Sequence, residues 1–97
     1  MQSNIQNFSV TRAGMSGTAN QLVINNTAVY CTADMGCAWH WMLNNVSTSN
    51  GVTTTTLLDL GDNAFTQAQY DGWTGSQTDA SYILSCVAAN LGLTLTS

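Results

Sequence analysis

A chain of 97 residues with five Asp, one Arg and no Lys or Glu carries a formal net charge of −4, which is single-domain size and too poor in cations to neutralise a phosphate backbone. Nucleic acid is therefore excluded as a partner. Only 6% of residues are charged, against roughly 25% in an average soluble domain, and Thr, Ser, Asn and Gln stand in their place. Hydroxyl and amide surfaces are cheaper to desolvate than charged ones, so this composition fits an outside that becomes an interface with copies of itself, the plainer alternative being a secreted or halotolerant protein with a polar coat.

The first residues, 1–4, hold nothing that can pack and are expected to be loose. No apolar run is long enough for a membrane span, and the opening lacks both the basic start and the apolar segment of a signal peptide, so reduced thiols made in a cytosol are the expectation. Residues 5–60 read as the β-rich part. In the strand expected at 5–12, Phe8, Val10 and Arg12 share one face, an awkward trio, and Ile5 belongs to the opposite set. Gly14-Met15-Ser16-Gly17 reads as a turn, Leu22-Val23-Ile24 as a short strand closed by Asn25-Asn26, and residues 28–32 as another strand.

The strongest strand pattern covers residues 37–43, with Cys37, Trp39, Trp41 and Leu43 in line on one face. That face is either core or a docking surface. Asn50-Gly51 is the dipeptide best suited to a two-residue hairpin. The return strand 52–60, VTTTTLLDL, places Val52, Thr54, Thr56, Leu58 and Leu60 on one side and Thr53, Thr55, Leu57 and Asp59 on the other. The Trp face is expected to pair with the Val52 side. Gly61-Asp62-Asn63 reads as the next turn.

Residues 61–97 form the helical end. Thr66 with Gln69 is a capping box opening one short helical turn that ends at Asp71-Gly72 and throws Trp73 onto the apolar surface below. Gly75-Ser76 reverses the chain. Thr78 or Asp79 caps a second helix running to about Asn90, with an apolar stripe of Tyr82, Ile83, Cys86, Val87, Ala89 and Asn90-Leu91; Gly92 stops it, and Leu93-Thr94-Leu95 alternates as a closing strand. The whole is one domain of the α+β class, a small antiparallel β-sheet of about four or five strands with one C-terminal helix packed on a face. Trp73, Tyr82 and Ile83 are the expected anchors between helix and sheet.

Candidate chemistry is thin. Cys31, Cys37, Cys86 and His40 do not have the spacing of a zinc site, and Cys37 and His40 point to opposite faces of one strand. A thiol nucleophile with His40 as base lacks any local signature for the third group or the oxyanion hole. The Asp residues fall in turns, helix starts and strand ends rather than as a paired acid and base. No cofactor or metal is expected, and no enzyme. The candidate interface residues are Trp39, His40, Trp41, Thr53, Thr55 and Tyr70. The alternative reading is a glycan- or receptor-binding module in which Trp39, Trp41, Tyr70 and Trp73 form a stacking platform.

An aromatic-rich hairpin over residues 39–60, then Tyr70-Asp71-Gly72-Trp73, Asp79 with Tyr82-Ile83, and Leu91-Gly92-Leu93-Thr94-Leu95 at the end, together resemble small structural proteins of tailed bacteriophage virions. The resemblance covers about the last two-thirds of the chain. It implies a capsid, neck or tail component made in the host cytoplasm, a homo-oligomer or a partner of a larger shell protein, with no catalytic residues and no membrane.

Overall fold

The computed structural model describes residues 1–73 and 79–96. The reversal expected at Gly75-Ser76 and a cap at Thr78 lie outside the described residues. Among the described residues, five strands and two helices follow in the order β1 (Gln2–Arg12), β2 (Met15–Ile24), β3 (Tyr30–Thr32), β4 (Gly36–Ser49), β5 (Val52–Ala64), α1 (Gln67–Gly72) and α2 (Ala80–Leu91). All strand pairs are antiparallel. β4 is central: β5 runs along one edge, while β2 and β3 share the other, meeting residues 41–44 and 36–38 respectively. The expected α+β architecture, with one principal helix on a sheet, is the observed one.

The core gathers Trp39, Leu22, Ile24, Ile83, Val87 and Cys37, all essentially removed from water. The Cys37-Trp39-Trp41-Leu43 face is therefore the core face, with Trp41 half-buried. Phe65, half-buried Trp73 and Tyr82 complete the aromatic cluster, with Trp73 edge-on to Trp39 and Phe65 at 6.2 and 5.9 Å between ring centroids. On α2 the buried residues are Ile83, Leu84, Cys86, Val87 and Ala88. The stripe thus lies one step round from the expected one, and Ala89 faces out.

Several local expectations are corrected by pairing. Residues 2–4 are not loose: Gln2, Ser3 and Asn4 pair with Val23, Leu22 and Gln21, and the N-terminal ammonium donates to the Ile24 carbonyl (2.9 Å) and Asn26 Oδ1 (2.8 Å). The first turn is Ala13-Gly14, both at positive φ (53° and 80°), so Met15 to Gly17 are strand rather than turn. Ile5 and Val10, of opposite parity, are both buried because the register of β1 shifts between Asn4 and Phe8. An irregularity there turns the second half of the strand over, which simple alternation cannot foresee. At the same place β1 takes the C-terminal segment on its outer edge, through the Ile5–Leu95 bridge and the Gln6 N–H donating to the Thr94 carbonyl at 2.9 Å.

The largest correction concerns β5, which continues through Gly61, Asp62 and Asn63 to Ala64 instead of turning. Leu43 pairs with Asp59 but Asn44 pairs with Leu57, leaving Leu58 as an extra residue. Below this bulge Trp39 and Trp41 face Asn63 and Gly61; above it Asn45, Ser47 and Ser49 face Thr56, Thr54 and Val52, as expected. Gly61 is a close-approach glycine, not a turn residue: a Cβ there would sit 2.9 Å from Trp41 Cζ2.

The capping signals are realised. Thr66 and Gln69 form the capping box of α1, Asp79 caps α2 by accepting from the Tyr82 N–H, and Gly92 closes it at φ 77°. Cys31 and Cys37, directly opposite on β3 and β4, form a disulfide, so the expectation of reduced thiols fails for them, while Cys86 is free and buried.

Candidate functional site

The sequence of β4 and β5 produces a feature the core does not need. Fourteen residues of extended chain, the length of β4, reach about 46 Å at roughly 3.3 Å per residue, matching the longest dimension of 47 Å. The radius of gyration, 14.2 Å, exceeds the roughly 12.5 Å of a compact chain this long. The excess is the distal hairpin, residues 47–56, which projects as a two-stranded arm with every residue exposed.

Several local causes hold the arm together. Asn50 and Gly51 take φ of 52° and 77°, the mirror-image turn whose twist suits a hairpin. Thr and Val are β-branched and favour extended backbone. Thr48 and Thr53 stand opposite one another with their hydroxyls 3.0 Å apart. A two-stranded ribbon alone is marginal in water, so the arm depends on its rooting in the sheet.

Asn20 supplies part of that root. Where β2 leaves β4 beyond the Gln21–Asn44 pair, its side chain accepts from the Val46 N–H at 2.8 Å and donates to the Val46 carbonyl at 2.9 Å. One side chain thus occupies the edge that a strand would otherwise take. Asn45 reinforces it by donating to the Thr18 carbonyl at 2.8 Å. On the other side, the β1–β2 tip folds over the base of the arm, leaving an open groove of about 330 Å³ between Val10, Met15 and Gly17 on one wall and Leu57 and Leu58 on the other. Met15 and Leu57 are 77% and 51% exposed at its rim.

The candidate residues divide. Thr53 and Thr55 lie on the arm and are exposed. Trp39 is fully buried, so it is core and offers no ring surface to a partner or a sugar. Trp41 is half-buried with its ring over Gly61, and Tyr70 is half-buried against the core. His40 lies on the opposite sheet face, its Nδ1 2.8 Å from Asp62 Oδ1 directly across the ladder. These residues are therefore not one platform. Of the expected anchors, Ile83 is fully buried, Trp73 packs edge-on to Trp39 and Phe65, and the Tyr82 hydroxyl donates to the Gln69 carbonyl at 2.7 Å.

Among the described residues no cluster of three or more His, Cys, Asp or Glu could hold a metal ion, and no helix is long and apolar enough to cross a membrane. Burial pushes the Cys86 thiol above its ordinary range, with the neighbouring Tyr82 hydroxyl drawing it partly back, so it is a weak nucleophile. Sequence reasoning missed the arm's projection and the Asn20 clamp. The uncharged tract from Met35 to Leu58 was a readable sign of the first; no sequence sign marked the second. No family model, no curated protein and no solved structure matches this chain.

Proposed function

We propose that this chain is a non-enzymatic structural protein that assembles with copies of itself or with a larger shell protein, as a component of a bacteriophage virion. The observation that supports this best is the arm: residues 47–56 are uncharged, exposed on both faces and β-branched along β5. A soluble monomer ordinarily blunts such an edge with Lys, Pro or an inward charge, and this arm carries none. Val52, Leu57 and Leu60 add exposed apolar surface along the same strand. The one Arg is engaged by Asp59, which leaves no free cationic side chain for phosphate. The virion part of the reading rests on the resemblance carried by the hairpin, the Tyr70–Trp73 element and the C-terminal helix.

Size-exclusion chromatography with light scattering, run from micromolar to millimolar, tests the assembly reading: mass should rise with concentration. A chain that remains a monomer throughout would refute it. Electron microscopy of the purified material tests the virion part, for which a shell, ring or tube is the expected image.

A further inference from the structure

Resting on the self-assembly reading above, we infer that two copies of this chain pair antiparallel along the free edge of β5, about a two-fold axis at Thr55, fusing their sheets into one. Hydrogen-bond alternation identifies the edge. In a two-residue hairpin the pair that closes the loop, here Ser49 and Val52, is hydrogen-bonded, and bonded and non-bonded pairs then alternate. Val52, Thr54 and Thr56 therefore direct their N–H and C=O groups at β4, while Thr53, Thr55 and Leu57 direct theirs outward. The same count sends the Val46 groups away from β5, and they are indeed the ones Asn20 holds.

Other edges are blunted. Asn20 occupies β4 at Val46, and the C-terminal segment covers β1 at Ile5, beyond which β1 carries a register irregularity and the charge of Arg12. β3 has only three residues. The outward groups of Thr53, Thr55 and Leu57 have no partner among the described residues.

The occupant follows from charge and symmetry. No Asp, Glu, Lys or Arg lies between Met35 and Leu58, and His40 pairs with Asp62 away from the arm, so two copies of this edge meet without like-charge opposition, and the edge has no charged group by which to select a different strand. A two-fold contact must be self-complementary, each residue meeting its own symmetry mate or exchanging places with another. Centred on Thr55, the pairing sets Thr53 against the partner copy's position 57 and Leu57 against its position 53. Each pair exchanges two N–H···O=C bonds. On the other face Thr54 and Thr56 come opposite one another across the axis.

Thr55→Pro removes one outward N–H and no ladder bond within the chain, which an edge strand tolerates. Thr55→Lys places two ammonium groups side by side at the axis. Both variants should melt like the wild type when all are dilute enough to be monomeric, and should show at most half its mass by light scattering at a concentration where the wild type assembles. If Thr55→Pro melts early, Thr55→Lys alone decides. Folded variants that assemble as the wild type does would overturn the β5 edge while leaving self-assembly intact. A wild type that is monomeric at millimolar concentration would overturn both.

Discussion

Arg12 Nη1 lies 2.6 Å from Asp59 Oδ1, joining the end of β1 to β5 beside the Leu58 bulge. Val10 and Arg12 share the inward face of β1, and Asp59 stands opposite buried Leu43. A charge that looks misplaced beside Phe8 and Val10 is thus answered by a carboxylate more than forty residues away in sequence. The pair ties the β1–β2 tip to the far side of the sheet, over the groove. Its side chains are 56% and 29% exposed, so solvent screens the attraction, and Arg12→Ala should cost less than about 1 kcal/mol. Urea melts at low and high salt check this: the wild-type advantage should shrink as salt rises.

The two close-approach glycines should respond differently to a methyl group. A Cβ on Gly61 meets Trp41 Cζ2 at 2.9 Å, part of a rigid ring, whereas a Cβ on Gly17 meets Leu58 Cδ2 at 2.8 Å, the end of a half-buried flexible side chain. Gly61→Ala should destabilise by about 1–3 kcal/mol, and Gly17→Ala by less than about 1 kcal/mol. Equal shifts in the two denaturation midpoints would contradict the difference in rigidity.

Trp39 is fully buried and Trp73 half-buried, packed edge-on to one another. Trp39→Ala should cost about 3–5 kcal/mol, cavity included. Trp73→Ala should cost on the order of 2 kcal/mol, since less of its ring leaves water and part of the loss is the pair term with Trp39 and Phe65. Thermal melts of the two variants rank them; a Trp73 variant melting like the wild type would mean the ring anchors nothing.

What could be read in the sequence was what local chemistry decides. Thr66 with Gln69, Asp79, Gly92 and Asn50-Gly51 each act within four residues of themselves, and each is found in its expected role. Gly61 was misread because its constraint comes from Trp41 on a neighbouring strand, and the Leu58 bulge because two strands must be aligned before an extra residue can be seen. The interface residues split for the same reason. Period-two alternation put Trp39 on one face with Trp41, but only the position of α2 decides that this face is covered. Thr53 and Thr55 were legible as polar strand residues, whereas the projection that exposes them depends on where β2 departs from β4.

Cys31 and Cys37 face one another across the β3–β4 ladder and are joined, closing a loop over a sequence separation of 6. The link restricts the unfolded chain, and a ring that short is worth about 2 kcal/mol on loop-closure grounds. Alkylation of the denatured, unreduced protein should label Cys86 alone, and a reductant should lower the denaturation midpoint while making all three thiols reactive. Three labels before reduction would mean that the pair is not linked.

Alkali should loosen the α2 anchor. Desolvation raises the Cys86 thiol above its ordinary 9.0, the Tyr82 hydrogen bond opposing this, and desolvation, then the Cys86 hydrogen bond, raise the Tyr82 phenol above 10.0. Both groups hold their protons more tightly folded than unfolded, so the stability they contribute is fully present below the unfolded values and is lost as pH rises through the folded ones. Denaturation midpoints should therefore fall once pH passes 9.0 and keep falling past 10.0. Cys86→Ala should remove the first part of that decline, and Tyr82→Phe the second. The Tyr82 hydroxyl gives its one hydrogen to the Gln69 carbonyl, so its ionisation discards the bond between α2 and α1. A decline that is unchanged in both variants would place the alkaline transition elsewhere in the molecule.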